Sequence, residues 1–233
     1  MAFIPWSDLV ALAWFLFLWG GYTAYADRRA RRAHSLRAVM HAHRERWMRA
    51  MLARENRMVD AGIVGNLLQN VSFFASTTLI ILAGLITLLG ASDKAIVLLR
   101  ELQWAPVPTP ALWELRLLAL VGVFVHAFFK FTWALRQFNY CSVLIGAAPR
   151  PEEPGARDYA LRAAAIATCA SKDFNQGMRA YYLSLAALAW FLHPIAFMAT
   201  TTLVIAVLYW REYHSRALGL LAGKNLPGAR TPR

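Results

Sequence analysis

Carboxylates are scarce in this chain. Its 233 residues include 13 Asp and Glu against 25 Lys and Arg, and charged residues make up only 16% of the total. A typical soluble domain is about one quarter charged and about half apolar, whereas this chain is 58% hydrophobic. The composition therefore argues against an ordinary soluble domain and indicates a membrane protein that crosses the bilayer several times.

Cysteine is almost absent as well. The chain has two, Cys141 and Cys169, and both flank a polar segment that we predict to be cytoplasmic, where structural disulfides are rare. Neither belongs to a C-x-x-C pair. We therefore predict no disulfide and no metal site.

Catalytic motifs are missing too. The sequence contains no G-x-S-x-G, H-E-x-x-H or Walker A pattern, and no paired carboxylates within an apolar run. We predict no catalytic residue and no cofactor. The net charge of +12 comes largely from arginines beside the first apolar segment, so we predict a topological signal and no nucleic-acid partner.

Long apolar runs are what the chain has in abundance. Residues 9–26 contain no charge and would form a helix of about 27 Å, enough to cross a bilayer. Residues 61–90 and about 112–135 predict two further crossings. The sequence predicts an all-α, polytopic transmembrane protein with four or five crossings and with helices extended into the cytoplasm.

The arginine distribution predicts the orientation. Ten arginines lie between Arg28 and Arg57, directly after the first apolar segment. By the positive-inside rule this segment is cytoplasmic and the N-terminus is outside, in a multi-pass protein of the inner membrane. We treat residues 1–233 as one membrane domain with cytoplasmic helical segments at 27–60 and 147–180. Residues 211–233 form a basic, partly disordered tail, which we expect to be cytoplasmic.

The last apolar stretch, residues 181–210, allows two interpretations. As one helix it would be about 45 Å long, more than a hydrocarbon layer of about 30 Å requires without a strong tilt. A turn at His193 and Pro194 would instead make a hairpin and return the basic tail to the cytoplasmic side. Each arm would then have only about 16 residues, just under the usual lower limit for a crossing.

Three motifs support a resemblance. They are "RMVDAGIVGNLLQNVSFFASTT" at 57–78, "FFKFTWALRQFNYCSVLIGAAP" at 128–149 and "FNQGMRAYYLSLAALAWFLHP" at 174–194. With these, the chain resembles over nearly its whole length the bacterial membrane proteins catalogued as domain of unknown function 599. The resemblance implies a polytopic inner-membrane protein, and it brings no reaction, cofactor or catalytic residue.

Polar residues follow one face of two predicted crossings. His126, Lys130, Trp133, Gln137 and Tyr140 are separated by four, three, four and three residues, a helical stripe. Asn66 and Asn70 share a face of the preceding crossing. They indicate either polar contacts between helices or a hydrated pathway. Lys130 is either a lysine that reaches the interface along its apolar stem or part of a cationic mouth.

We predict one packed site on the cytoplasmic side, in which Lys130, Arg136 and Asn139 face Asn66, Asn70 and Asp173. Asp60 and Asp173 are the expected countercharges. The full set of candidate site residues is Lys130, Arg136, Asn139, Asn66, Asn70, Asp60, Asp173 and Arg179. The set is either a structural polar network or a binding site for an anion or lipid headgroup.

Three classes of function remain open from the sequence. The first is a homo-oligomeric channel- or transporter-like protein with a cationic cytoplasmic-side site, because one small helical unit can hardly enclose a pathway alone. The second is an accessory or scaffold subunit of a membrane complex, and a membrane enzyme is the least favoured. The expected partners are membrane lipids and either further copies of the chain or another membrane protein.

Overall fold

The structure is a computed structural model that describes residues 4–29, 35–101 and 108–223. Within these ranges the regular secondary structure is helical throughout, without a strand, which confirms the all-α class. The helices are α1 (Trp6–Arg29), α2 (Leu36–Leu52), α3 (Met58–Gly90), α4 (Ser92–Glu101), α5 (Pro110–Gly146), α6 (Ala156–Leu188), α7 (Pro194–Tyr213) and α8 (Arg216–Leu221). Of the predicted tail, residues 224–233 lie outside the description.

Among the residues that the structure describes, four segments are long and apolar enough to cross a membrane, which confirms the polytopic prediction. They are Trp6–Arg29, Met58–Gly90, Pro110–Gly146 and Pro194–Leu221. Helix α6 has 33 residues, as many as α3, but it is more polar and is not among the four.

Local sequence signals set several helix ends. The Thr109 hydroxyl accepts from the amide of Leu112 at 3.3 Å, and Pro110 follows at the first helical position, where its missing N–H costs nothing. Ser35 caps α2 in the same way. Helix α6 starts after Gly155, whose φ of +83° favours glycine.

The chain reverses direction between α6 and α7. A short 3-10 helix, Ala189–Phe191, ends α6, and Pro194 begins α7 with the His193 side chain as its cap. Across the turn the rings of Trp190 and Phe197 stack at 4.8 Å. Far from the turn, the Arg211 guanidinium of α7 donates to the Tyr182 hydroxyl of α6 at 3.2 Å. The structure therefore contains the hairpin, one of the two alternatives that the sequence left open, and not a single long helix over 181–210.

Helix α7 runs parallel to α1. Its Thr202 accepts from the indole of Trp14 at 3.2 Å, and further along both helices the rings of Tyr25 and Tyr209 lie 6.2 Å apart. Both helices therefore end at the same end of the bundle, together with their terminal arginines. We call this the basic end, and the opposite end, where α1 begins, the Asp8 end.

Helix α5 lies between α3 and α6, and aromatic rings fill the space between them. The Phe74 ring stacks on Phe131 at 5.6 Å and meets Tyr181 edge-on at 5.7 Å. Gly177 of α6 allows this packing, because a Cβ there would lie 2.6 Å from the Phe131 ring. The middle of the bundle is therefore a closed aromatic core.

Two polar layers bound this core. Asp8 and Arg116 pair at the Asp8 end, and Asp27 pairs with Arg37 and Lys172 at the basic end. From Asp8 to Asp27 helix α1 rises about 28 Å at about 1.5 Å per residue. This separation matches a hydrocarbon layer of about 30 Å.

Beyond the basic layer the helices continue as a projecting bundle. It consists of α2, the first part of α3, the last part of α5 and the first part of α6, tied together by Trp47 to Asp60 (2.7 Å) and Tyr159 to the Leu144 carbonyl (2.9 Å). Its core includes the fully buried Met48 and Met51. The predicted segments 27–60 and 147–180 thus meet in space, and their cytoplasmic location stays a prediction.

Candidate functional site

Lys130 is held by a carboxylate on the neighbouring helix. Its Nζ lies 3.0 Å from Asp173 Oδ1, while Gln137 donates to Asp173 Oδ2 at 2.7 Å. Lys130 and Gln137 lie two turns apart on α5, so Asp173 of α6 bridges them. The predicted pairing of Lys130 with Asp173 is therefore present, as an ion pair between helices and not as a lysine that only reaches toward solvent.

The other two members of the predicted cluster lie elsewhere. Arg136 and Asn139 are exposed, and the Arg136 guanidinium donates to the Tyr140 hydroxyl at 2.6 Å on its own helix. The next residue, Gln137, points inward instead. The prediction needs correction here, because the inward face of α5 passes through Lys130 and Gln137 and leaves Arg136 outside.

The amides of α3 also face away from the site. Asn66 and Asn70 are exposed, whereas Val64 and Val71 are buried against the bundle. The structure therefore does not bring Asn66 or Asn70 to Lys130. The buried residues Val64, Val71 and Thr78 repeat every seven positions on the packed face of α3, and the amides lie outside that face.

Asp60 and Arg179 occupy two further places. Asp60 is fully buried in the projecting bundle, where it accepts from Trp47 at 2.7 Å and pairs with Arg54. Arg179 is buried on α6 over the ring of Tyr22, 5.1 Å from its centroid, and its Nη1 has no hydrogen-bond partner among the described residues. The single predicted network is therefore divided into separate groups.

A large cavity lies at the basic end, where the projecting bundle meets the polar ends of α1 and α7. We call it the junction pocket; its volume is about 1150 Å³. Its charged lining consists of Asp27, Arg28, Arg37, Arg44, Lys172 and Glu212, and its neutral polar lining includes His41, Thr168, Ser171 and Asn175. Sequence reasoning missed this pocket, because its walls come from four separate helices.

Arg37 is at the centre of the pocket's ion pairs. Its guanidinium contacts Asp27 at 2.9 Å and Glu212 at 3.2 Å, and Lys172 contacts the other oxygen of Asp27 at 3.0 Å. Burial opposes the charge of Arg37, yet the Asp27 and Glu212 carboxylates raise its pKa above the ordinary value. Even so, Arg37 Nη2 is buried without a partner among the described residues.

Arg44 differs from Arg37 in having no carboxylate beside it within the described part of the chain. Burial lowers the pKa of Arg44, although an arginine remains charged at neutral pH. The pocket thus has four cationic residues against two carboxylates, and both carboxylates are already paired. The arrangement can accept an anion.

A second buried ion pair closes the Asp8 end. Arg116 Nη2 lies 2.8 Å from Asp8 Oδ1, and the Trp190 indole donates to the same oxygen at 2.7 Å. The group ties α1, α5 and the α6–α7 turn together. No local sequence pattern indicates this group, because its three members are far apart along the chain.

Helical spans bounded by two polar layers define an all-α, multi-pass membrane protein. The comparison with protein families agrees, because residues 10–217 match the family described as "Protein of unknown function, DUF599". The chain belongs to this family, as the three motifs predicted. No curated protein and no solved structure matches the chain.

Proposed function

We propose that this membrane protein binds a phosphate-bearing anion in the junction pocket. The observation that carries the proposal is the excess of cations around the cavity, where Arg44 forms no ion pair with any carboxylate that the structure describes. Guanidinium groups bind phosphate oxygens through charge-assisted hydrogen bonds. A buried guanidinium without a countercharge is costly unless a ligand compensates it.

The neighbouring carboxylate on α2, Glu45, contacts His41 at 3.3 Å and Arg49 at 3.2 Å and forms no described ion pair with Arg44. The segments outside the description contain no Asp or Glu, and residues 30–34 include Arg31 and Arg32. The cavity of about 1150 Å³ has room for a small organic phosphate or a lipid headgroup. These two sources share the phosphate group.

The position of the pocket is compatible with both sources. It lies at the basic layer, about 28 Å along α1 from Asp8, where the hydrocarbon of a bilayer would end. A headgroup could enter from the membrane, and a soluble phosphate compound from the water. If the orientation predicted by the positive-inside rule is right, both sources are cytoplasmic.

A channel- or transporter-like role would be a more specific version of this proposal, in which the bound anion also crosses the membrane. Within one copy, the buried rings of Phe15 and Phe197 pack 5.1 Å apart between the junction pocket and the Asp8 end. A path through one copy would therefore require these rings to move. Lys130 is engaged with Asp173, so we place the binding site at Arg44 and not at Lys130.

The test compares two arginines of the same helix. Arg44 lines the pocket, whereas Arg46 is exposed, so Arg44→Gln and Arg46→Gln remove the same charge in different places. Purified full chain in neutral detergent is titrated with inorganic pyrophosphate, and binding is measured from the rise in melting temperature. We expect Arg44→Gln to weaken binding at least about tenfold, because a hydrogen bond to a charged group contributes about 1.5–3 kcal/mol.

A second arm distinguishes the two sources of phosphate. The protein is reconstituted in nanodiscs with phosphatidylglycerol or with phosphatidylcholine only, and retained lipid is counted by native mass spectrometry. Retained phosphatidylglycerol that is lost in Arg44→Gln and kept in Arg46→Gln identifies the headgroup. Pyrophosphate binding without retained lipid identifies a soluble ligand, and equal behaviour of the two variants in both arms contradicts the proposal.

A further inference from the structure

A buried arginine lies between the basic layer and the aromatic core. Arg179 of α6 follows Lys172 on the same helix, about 10 Å further toward the Asp8 end at about 1.5 Å per residue. It is only 6% exposed, and its guanidinium lies 5.1 Å from the centre of the Tyr22 ring. Arg179 is therefore on the membrane side of the basic layer, where a charged group has little access to water.

Arg179 has no countercharge among the residues that the structure describes. No ion pair joins it to a carboxylate there, because the nearby Asp27 and Glu212 already contact Arg37 and Lys172. The segments outside the description contain no Asp or Glu. The three cationic side chains of this group thus face two carboxylates, which leaves one positive charge in excess.

Three buried polar atoms in this group lack a hydrogen-bond partner among the described residues. They are Arg179 Nη1, Arg37 Nη2 and the Tyr213 hydroxyl, and we call them the inner donors. Arg37 lies close enough to Arg179 and to Tyr213 for its charge to act on both, although the three residues belong to α2, α6 and α7. Buried polar atoms are rarely left unpaired, so the inner donors indicate a common partner.

The chemistry of the inner donors restricts what that partner can be. Guanidinium nitrogens donate hydrogen bonds and never accept them, which favours a ligand that only accepts. Each of the three atoms is shielded from solvent, so an organic phosphate is too large for this place. A water molecule would satisfy the donors and leave the excess charge uncompensated, whereas a monatomic anion would do both.

We propose that the inner donors bind one halide ion, with chloride as the probe, between α2, α6 and α7. Arg179 and Tyr213 are not part of the lining of the junction pocket, so this is a second and deeper site. The ion would join α2 to the two arms of the hairpin at the level where the projecting bundle begins. The inference goes beyond phosphate binding and does not rest on it.

Tracer chloride tests the site with a matched pair of arginines. Arg211 also lies over a tyrosine ring, 5.4 Å from the centre of Tyr182, but it is exposed. Purified full chain in neutral detergent is dialysed into sodium gluconate and titrated with chloride-36, and the retained chloride is counted per chain. We expect one saturable chloride in the parent and in Arg211→Gln, and at least about tenfold weaker binding in Arg179→Gln, which loses a charge-assisted hydrogen bond.

A matched pair of tyrosines tests the hydroxyl. Tyr213→Phe removes one inner donor and keeps the ring that packs 4.9 Å from Tyr209, whereas Tyr209→Phe removes a hydroxyl outside the group. We expect Tyr213→Phe to weaken chloride binding about three- to tenfold, because one hydrogen bond to the ion is lost. Tyr209→Phe should bind chloride as the parent does, and equal affinities of the two variants contradict the assignment of Tyr213.

Melting temperatures give a second readout. In gluconate, an anion too large for this site, the parent carries an uncompensated guanidinium, so Arg179→Gln should melt at or above the parent. Added chloride should raise the melting temperature of the parent and of Arg211→Gln and leave that of Arg179→Gln unchanged. An Arg179→Gln variant that melts below the parent in gluconate contradicts the proposal, because it would show that Arg179 has a structural partner.

Three results of the chloride measurement also overturn the inference. The first is a parent that retains no chloride, which would leave water as the occupant. The second is equal chloride affinity in Arg179→Gln and the parent. The third is loss of chloride in Arg44→Gln, which would place the ion in the junction pocket. Arg179→Gln should keep its pyrophosphate binding, so a failure here is distinguishable from a failure of the phosphate site.

Discussion

Replacement of Arg116 by methionine should be the most destabilising change at the Asp8 end. The side chains of Arg116 and Asp8 are 5 and 3% exposed, so both charges have left water. Arg116→Met keeps an unbranched apolar stem and removes the guanidinium. Asp8 would then be a buried carboxylate with the Trp190 indole as its remaining side-chain donor from another helix.

The magnitude follows from the burial. Removal of one partner of a buried ion pair costs about 3–5 kcal/mol, because the other charge stays in a medium of low polarity. The intact pair is worth much less than this. We therefore expect the double variant Asp8→Asn, Arg116→Met to recover most of the loss, since an amide oxygen still accepts from the indole.

The assay is reversible unfolding in mixed micelles with increasing dodecyl sulfate, followed by helical circular dichroism. The parent, Arg116→Met, Asp8→Asn and the double variant form one thermodynamic cycle. The reasoning fails if Arg116→Met lies within about 1 kcal/mol of the parent, or if the double variant is as unstable as Arg116→Met. Either result would mean that water or lipid headgroups solvate Asp8.

Three other changes follow from the same structure. Lys130→Met should lower the free energy of unfolding by about 1–3 kcal/mol, less than Arg116→Met, because Lys130 is 30% exposed and Asp173 keeps its hydrogen bond from the Gln137 amide. The same unfolding titration measures this loss, and a loss equal to or larger than that of Arg116→Met contradicts the ranking. Gly177→Ala should lower the free energy of unfolding by about 1–3 kcal/mol, because its Cβ overpacks the aromatic core. Gly122→Ala places its Cβ in open space and should be neutral or slightly stabilising, so equal melting temperatures of the two variants would refute this reasoning. Arg44→Gln should leave the free energy of unfolding unchanged or raise it, because it removes a half-buried charge that lacks a carboxylate, and a loss above about 1 kcal/mol would show a missing structural partner.

The spanning helices were predictable because each is a long apolar run of its own. A crossing can be recognised at residues 9–26 and at 61–90 from the local sequence alone. The hairpin at Pro194 was predictable only as one of two alternatives, because the apolar stretch 181–210 is too long for one crossing and too short for two. The structure shows what the sequence could not, a Trp190–Phe197 stack that closes the turn.

Of the predicted site, only the ion pair between Lys130 and Asp173 could be predicted from the sequence, because opposite charge alone favours it. Asp173 was expected as the countercharge of the cationic cluster on α5, and the structure pairs it with Lys130. Asn66 was assigned to the wrong face, because polarity was taken as a sign of packing between helices. The junction pocket was not predictable, since Asp27, Arg37 and Glu212 meet only through the parallel arrangement of α1 and α7.

The reversal between α6 and α7 has a consequence for how the chain is inserted during synthesis. The apolar part of α6 begins near Tyr181 and ends at the turn, which is too short to cross a bilayer on its own. A translocation channel that releases segments into lipid one by one would leave α6 behind in water. We therefore expect α6 to enter the bilayer only together with α7, as a pair whose two arms separate at Pro194.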